Sequence, residues 1–328
     1  MDLGEIKYCP GTLSVGFHGY SRACLNRVFQ GKAVSHVLPY DAPTFNPDSD
    51  ALFEQNRRRM SISGVQEKFS FLLEKNKLRL INEGEYGRYI LKPIPSVGTR
   101  TEQMPANEHL TMQMARQVYG IETAENALIF FKNGAPAFIT KRFDVKDDGS
   151  KLAQEDFASL AGRTPQTHGE HYKYLGNYLE LFQLMQLHLS TYKIEAPKLL
   201  KVLIFNYLFS NGDAHFKNFS LLETSMGDFR LSPAYDLLNS RIHIDDKDFA
   251  LDDGLLPKDM AHGKMRQQFS MLAKEASISE ILFKDMMTLM LSKSEKVEQM
   301  IQASFLDAST KRNYWQAYNW RLKQLMKF

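Results

Sequence analysis

With 328 residues, 43% of them hydrophobic and 24% charged, the chain is too long for one small core and suits two packed lobes. Its net charge of +3 is spread along the sequence, which argues against the concentrated basic face of a nucleic-acid binder. No apolar run reaches the ~18–20 residues that span a bilayer. No signal-peptide core follows Met1, so a soluble cytoplasmic protein with no membrane or direct nucleic-acid partner is expected.

Only two cysteines are present, in keeping with a reduced compartment. Cys9, His18 and Cys24 fit no common zinc spacing and lack a fourth ligand. The densest basic cluster, Arg57 to Arg59, reads as a solvated loop.

In chain order, the first half reads as strands with one clear helix. "KFSFLL" (68–73), "LRLI" (78–81), "YILK" (89–92), "ALIFF" (127–131) and "PAFITKRF" (136–143) are short, β-branched or aromatic, and bounded by turn residues. Asn133-Gly134 is expected to supply the positive φ angles of a hairpin between the last two. In "NEHLTMQMARQVYG", Leu110, Met114 and Val118 recur at helical spacing and Gly120 marks the stop.

Beyond residue 150 the pattern turns helical. "YLELFQLMQLHLS" (178–190) is apolar nearly all round and reads as a buried helix. Pro197 is placed in the first turn of the next helix, which presents Leu200, Leu203, Ile204, Tyr207 and Leu208 on one face. "NFSLL" and "FRLS" suggest a small hairpin around Met226-Gly227, and the chain from about 265 onward is helical. The acidic run "IDDKDFALDDG" (244–254) lacks EF-hand spacing and reads as a solvated loop. The outline is α+β: a β-rich lobe over 1–145, then a mainly helical lobe over 146–328.

The chemistry concentrates in "SNGDAHFKNFSLL" (210–222). Asp213 and Asn218 are five residues apart after an apolar helix, the separation of the catalytic Asp and metal-binding Asn of protein kinases. A tight loop there aims both side chains into one cleft. Asp236, in "SPAYDLLNS", supplies a second acid from another segment. Lys92 ends an apolar strand and Glu108 opens the following helix, as in a kinase's phosphate-pairing lysine and its supporting ion pair. "SISGVQEKFSFLL" (61–73) sets small residues before a strand, where backbone N–H groups can face phosphate oxygens. Each feature also has a plain structural reading, as a loop cap, a surface charge or an ordinary turn.

Together the segments "SISGVQEKFSFLL", "ILKP", "NEH", "ITKRFD", "QEDFASLAG", "NGDAHFKNFSLL" and "LSPAYDLL" resemble, in order and spacing, the HipA-like serine/threonine kinases, toxins of bacterial toxin–antitoxin systems. The resemblance covers about residues 60–240, and more loosely the helical C-terminus. The short chain with its S-I-S loop looks most like the HipT kinases of three-component HipBST systems.

The resemblance implies a two-lobed kinase-like fold, ATP and Mg2+ as cofactors, and Asp213 as the catalytic aspartate. Asn218 and Asp236 match the magnesium ligands, Lys92 the nucleotide-phosphate lysine, and Glu108 its ion-pair partner. Ser63, Gly64, Val65, Gln66, Glu67 and Lys68 match the phosphate loop. Lys141, Arg142 and Phe143 match the hinge that meets adenine, with Asp144 near the ribose. Lys217 and Tyr235 fall among the nucleotide-site residues. His215 either contacts ATP or only braces the loop. Phe216 departs from the family, which often has a small residue there; a change in packing is expected.

The resemblance also implies autophosphorylation at Ser61, Ser63 or both. It further implies an aminoacyl-tRNA synthetase as target, with a small HipS-like antitoxin and a HipB-like DNA-binding protein as partners. Two other classes share parts of this pattern: a small-molecule kinase of the aminoglycoside or choline type, and a pseudokinase regulatory subunit. The retained set of Lys92, Asp213, Asn218 and Asp236 speaks against the second.

Overall fold

The apolar runs of the first half fold as one antiparallel sheet. In the computed structural model, which describes residues 6–44, 67–146, 148–245 and 247–327, this sheet holds β1 (Phe69–Glu74), β2 (Lys77–Leu80), β3 (Tyr89–Lys92), β4 (Asn126–Phe130) and β5 (Pro136–Lys141). Their order is β2-β1-β3-β5-β4, with Phe69 opposite Leu91 and Lys92 opposite Phe138. β4 is buried at every position, as a continuous apolar strand requires.

The β4–β5 hairpin corrects one expectation. Only Gly134 takes a positive φ (+83°), while the Asn133 side chain accepts the Ala135 N–H at 3.2 Å. The asparagine contributes through its amide oxygen instead of through a left-handed backbone.

A second correction is the helix α1 (Arg22–Phe29), which the strand-dominated reading of the first half does not contain. Ser21 caps it, accepting the Cys24 N–H at 3.2 Å. Its Cys24, Val28 and Phe29 join Phe71, Tyr89, Leu91 and Ile129 in the core of the sheet. Each large side chain so buried contributes roughly 1.5–3 kcal/mol. Cys9 and Cys24 are buried free thiols, and among the described residues no group of three or more His, Cys, Asp or Glu is placed to hold a metal.

The chain divides into two compact units. The first is Met1–Gln113, Ala124–Ser150 and Gln299–Lys311; the second is Met114–Thr123, Lys151–Glu298 and Arg312–Phe328. The first holds the sheet, α1 and most of α2 (Met104–Gln117).

The second unit is mainly helical. The short α3 (Phe157–Leu160) and α4 (Pro165–His168) precede α5 (Leu179–His188) and α6 (Tyr192–Leu208). Its small sheet, β6 (Gln154–Asp156), β7 (Ser220–Glu223) and β8 (Phe229–Leu231), is antiparallel in the order β6-β7-β8. The β7–β8 turn closes at Met226-Gly227 with Gly227 at φ +83°, as its sequence suggests. Then follow α7 (Met265–Glu275), α8 (Glu280–Leu291), α9 (Ser294–Ala303) and α10 (Ala308–Met326). The C-terminal half of α9, from Gln299, and the start of α10, to Lys311, belong to the first unit.

Two helices differ from expectation. α5 is not buried all round: Leu181, Phe182 and Met185 face the core, whereas Leu187 is 79% exposed. α6 begins five residues before Pro197, which therefore lies inside it and leaves one carbonyl of the preceding turn without its helical donor. Among the described residues no helix is long and apolar enough to cross a membrane.

Candidate active site

In the first unit, strand alternation sends Tyr89 and Leu91 into the core and leaves Lys92 to end β3. Its Nζ lies 2.6 Å from Oε1 of Glu108 on α2, and both residues are almost wholly buried. The ammonium also lies 5.5 Å from the centre of the Phe138 ring. Removing two charges from water costs several kcal/mol per ion, so a buried pair is seldom kept for stability alone.

Glu67 Oε1 accepts the Ser96 hydroxyl at 2.7 Å, and half-buried Lys68 stands directly before β1. The remaining phosphate-loop residues Ser63, Gly64, Val65 and Gln66 lie outside the described residues, as do Ser61 and Arg57 to Arg59.

At the end of β5 the backbone N–H groups of Lys141 and Arg142 are donated to Glu125 and Arg88 carbonyls, at 2.7 and 2.8 Å. Arg142 grips the Asp144 carboxylate with two hydrogen bonds, Nε to Oδ1 at 3.0 Å and Nη2 to Oδ2. Phe143 between them is half-buried.

In the second unit, α6 ends at Leu208 and the chain turns through Ser210 in the left-handed region (φ +55°). The turn's backbone is buried and braced. Ser240 Oγ accepts the Gly212 N–H at 2.8 Å and donates to the Ser210 carbonyl at 3.0 Å. Tyr178 donates its hydroxyl to the Ala214 carbonyl at 2.7 Å. The Arg321 guanidinium, fully buried, reaches Ser210 Oγ at 3.4 Å and Asp248 at 2.7 Å, and lies 4.5 Å from the Tyr207 ring centre.

From this buried turn, half-buried side chains emerge. Asp213 Oδ1 accepts the Tyr174 hydroxyl at 3.0 Å. Asn218 Oδ1 accepts the His215 N–H at 3.2 Å, and its Nδ2 lies 3.3 Å from Asp236 Oδ2. The structure thus brings Asn218 and Asp236 side by side from segments 18 residues apart. Asp236 is itself left-handed (φ +54°), a conformation that aspartate and asparagine tolerate better than bulkier residues. Its carbonyl is approached by Asn211 Nδ2 at 3.5 Å, and that same amide donates to Asn206 Oδ1 at 3.1 Å.

Lys217 pairs with Asp156 at 2.9 Å, and the Lys217 carbonyl accepts the Tyr235 hydroxyl at 2.9 Å. Burial, then the nearby Lys173, pushes the His215 imidazole down to about 3, so it is neutral at ordinary pH. It packs edge-on against Tyr174, ring centres 5.2 Å apart. Phe216 is fully buried with the Arg163 guanidinium 4.5 Å from its ring centre.

Tyr174, Ser240, Arg321 and the Asp156–Lys217 pair escape a reading of the sequence. Asp156 carries one available signal, its place in "QEDF" as N-cap of α3, where it accepts the Ser159 N–H at 3.0 Å. The others act over separations of up to 111 residues, which no local pattern encodes.

The sequence matches the family described as the HipA-like C-terminal domain over residues 60–310. The chain belongs to this family. A putative kinase of Sinorhizobium fredii, Y4dM, is 32% identical over 259 residues, covering 75% of this chain and 60% of its own length. A putative kinase of Haemophilus influenzae is 25% identical over 249 residues, covering 73% and 68%. The HipA-like chain thus spans about three-fifths of the length of the first of these relatives.

Among solved structures it is similar to the Shewanella oneidensis toxin–antitoxin complex of HipA, HipB and operator DNA. That match has TM-score 0.63 and 19% identity, over 82% of this chain and 66% of that one. It is also similar to the Helicobacter pylori proinflammatory kinase CtkA, with TM-score 0.51 and 14% identity over 76% and 91%. These likenesses establish the α+β, HipA-like fold.

Proposed function

We propose that the chain is an ATP-dependent serine/threonine protein kinase, the toxin of a toxin–antitoxin system of the short HipT type. The observation that carries this reading is the meeting of Asn218 and Asp236 at 3.3 Å, with Asp213 on the same braced turn. In this reading Asp213 orients the acceptor hydroxyl and takes its proton.

Asp236 Oδ2 and Asn218 Oδ1 would hold a magnesium ion; without it, that amide oxygen accepts the His215 N–H and the amide nitrogen faces Asp236. Magnesium is held by one or two carboxylates plus substrate phosphates and keeps several waters, so a small oxygen-donor set suffices. Bound there, the ion would supply charge neutralisation of the phosphates. Lys92 pairs with a nucleotide phosphate, and Glu108 holds the ammonium in place. Lys141 to Phe143 and Asp144 serve the adenosine end, with Arg142 holding Asp144. His215, neutral and packed on Tyr174, suits bracing of the turn better than attraction of phosphate.

The putative-kinase relatives and the toxin–antitoxin context of the Shewanella structure support this reading. The target is an aminoacyl-tRNA synthetase, whose modification stalls translation and arrests growth. A HipB-like DNA-binding protein and a small HipS-like antitoxin are the partners. Autophosphorylation at Ser61, Ser63 or both adds roughly −1.5 to −2 charges per site and repels nucleotide. Mass spectrometry of the chain incubated with ATP and magnesium is expected to find phosphate on one or both; none on either removes that part.

The experiment for the whole reading is phosphoproteomics of cells briefly expressing the chain or its Asp213→Gln form. A new phosphoserine or phosphothreonine on a synthetase, absent with the variant, is expected. Labelling of a metabolite alone would assign a small-molecule kinase.

A further inference from the structure

We infer that Tyr174 is a specificity-determining residue that holds the acceptor position on Asp213, so that an incoming hydroxyl must displace it. The inference rests on the kinase reading above. Tyr174 closes a single 3-10 turn, Tyr172–Tyr174, and its Oη donates to Asp213 Oδ1 at 3.0 Å. A carboxylate that orients and deprotonates an alcohol needs an O–H donor within about 2.6–3.2 Å. The phenol meets that geometry from within the chain.

The contact is built. The Tyr174 ring lies edge-on to His215, and the Lys173 ammonium stands 4.9 Å from its centre. The segment that carries it is latched over residues 174–176. The Asp252 N–H donates to the Tyr174 carbonyl at 2.9 Å, and the Asp253 N–H to the Gly176 carbonyl at 3.0 Å. Arg163 donates to the intervening Leu175 carbonyl at 2.7 Å. Gly176 has φ +87° and packs against the Glu180 carboxylate so closely that a side chain there would collide with it. This gives the acidic stretch near residue 252 a role that its composition does not suggest.

Two consequences follow for acceptor choice. Water, and a small alcohol with no flanking contacts, gain too little on binding to displace a charge-assisted hydrogen bond. A polypeptide acceptor brings contacts on either side of its hydroxyl and can do so. The device therefore suppresses idle ATP hydrolysis and favours macromolecular acceptors.

The test is Tyr174→Phe, which keeps the ring and removes the donor. Label transfer from ATP is followed against increasing soluble bacterial lysate protein, and ADP release is followed with no lysate. Half-saturation by lysate protein is expected to fall about ten- to hundredfold, the scale of one hydrogen bond to a charged group. Lysate-free ADP release is expected to rise by a similar factor, with maximal transfer and melting temperature unchanged.

A lower maximal rate at unchanged half-saturation would make Tyr174 a support of Asp213 and overturn the inference. So would two unchanged parameters. A wild-type chain that neither transfers label nor releases ADP overturns the kinase reading itself, and the inference with it. An active wild type with an indifferent variant overturns the inference alone.

Discussion

The two units hold their candidate-site side chains in different ways. In the first, Lys92 and Glu108 satisfy each other at 2.6 Å in a nearly water-free setting, and the pair itself fixes the geometry. In the second, Asp213, Asn218 and Asp236 are half-buried, and what is fixed is the backbone beneath them. Ser240 and Tyr178 hold that backbone, and Arg321 the Ser210 side chain, from remote parts of the chain. A pair is stiff because breaking it strands a charge; a braced turn is stiff because many moderate bonds must fail together.

The largest expected effect tests the braced side. Asp213→Gln, or Asp236→Asn, which tolerates the left-handed φ, should lower phosphoryl transfer by about 10³-fold or more while the melting temperature stays near wild type. A folded variant at near wild-type rate would remove the role of that residue.

The paired side should respond in the opposite sense, in stability. Lys92→Ala leaves the Glu108 carboxylate buried and is expected to cost about 3–5 kcal/mol in chemical denaturation. Replacing both, Lys92→Met with Glu108→Leu, should recover most of that stability but not nucleotide affinity by calorimetry. A double variant that still binds ATP as tightly would make the pair structural only.

A smaller effect is expected at the brace. Arg321→Met removes the contacts to Ser210 and Asp248 and should cost about 1–3 kcal/mol. Because Asp248 keeps 41% of its side-chain surface exposed, it is not stranded. Transfer should slow with this loss, whereas a destabilised variant with full transfer would separate the brace from the turn.

The last concerns pH. His109 and His215 are held at about 3 chiefly by burial, below the ordinary histidine value of 6.5. At these two sites the unfolded chain therefore binds more protons between these values, so their contribution to stability falls as pH drops from 6.5 toward 3 and is constant above. Each contributes at most about 1.4 kcal/mol per pH unit. Denaturation midpoints measured from pH 7.5 to 5 check the sign; a rise on acidification would contradict it.

The same contrast explains what the sequence reveals. β3, the Lys92–Glu108 pair and the Asp213–Asn218 spacing are local patterns, and an apolar strand ending in lysine before a helix is visible in a few residues. The braces are not, because Ser240 and Arg321 differ from ordinary surface residues only through distant partners. α1 escapes because eight residues are barely two turns of helical period. β6 escapes because "QED" is polar, and its pairing with β7 is all that makes it a strand. Leu187 misleads because its apolar side chain is left on the surface, which is common and carries no local signal.

In the proposed reading, the turn at 210–218, with Asp236, transfers phosphate from ATP to protein. The most direct measurement incubates purified chain with terminally radiolabelled ATP, magnesium and bacterial lysate, beside the Asp213→Gln form. The expected result is label on protein serine or threonine with the wild type and background with the variant. Label that persists undiminished in a folded Asp213→Gln protein, or no label from the wild type, would contradict the account.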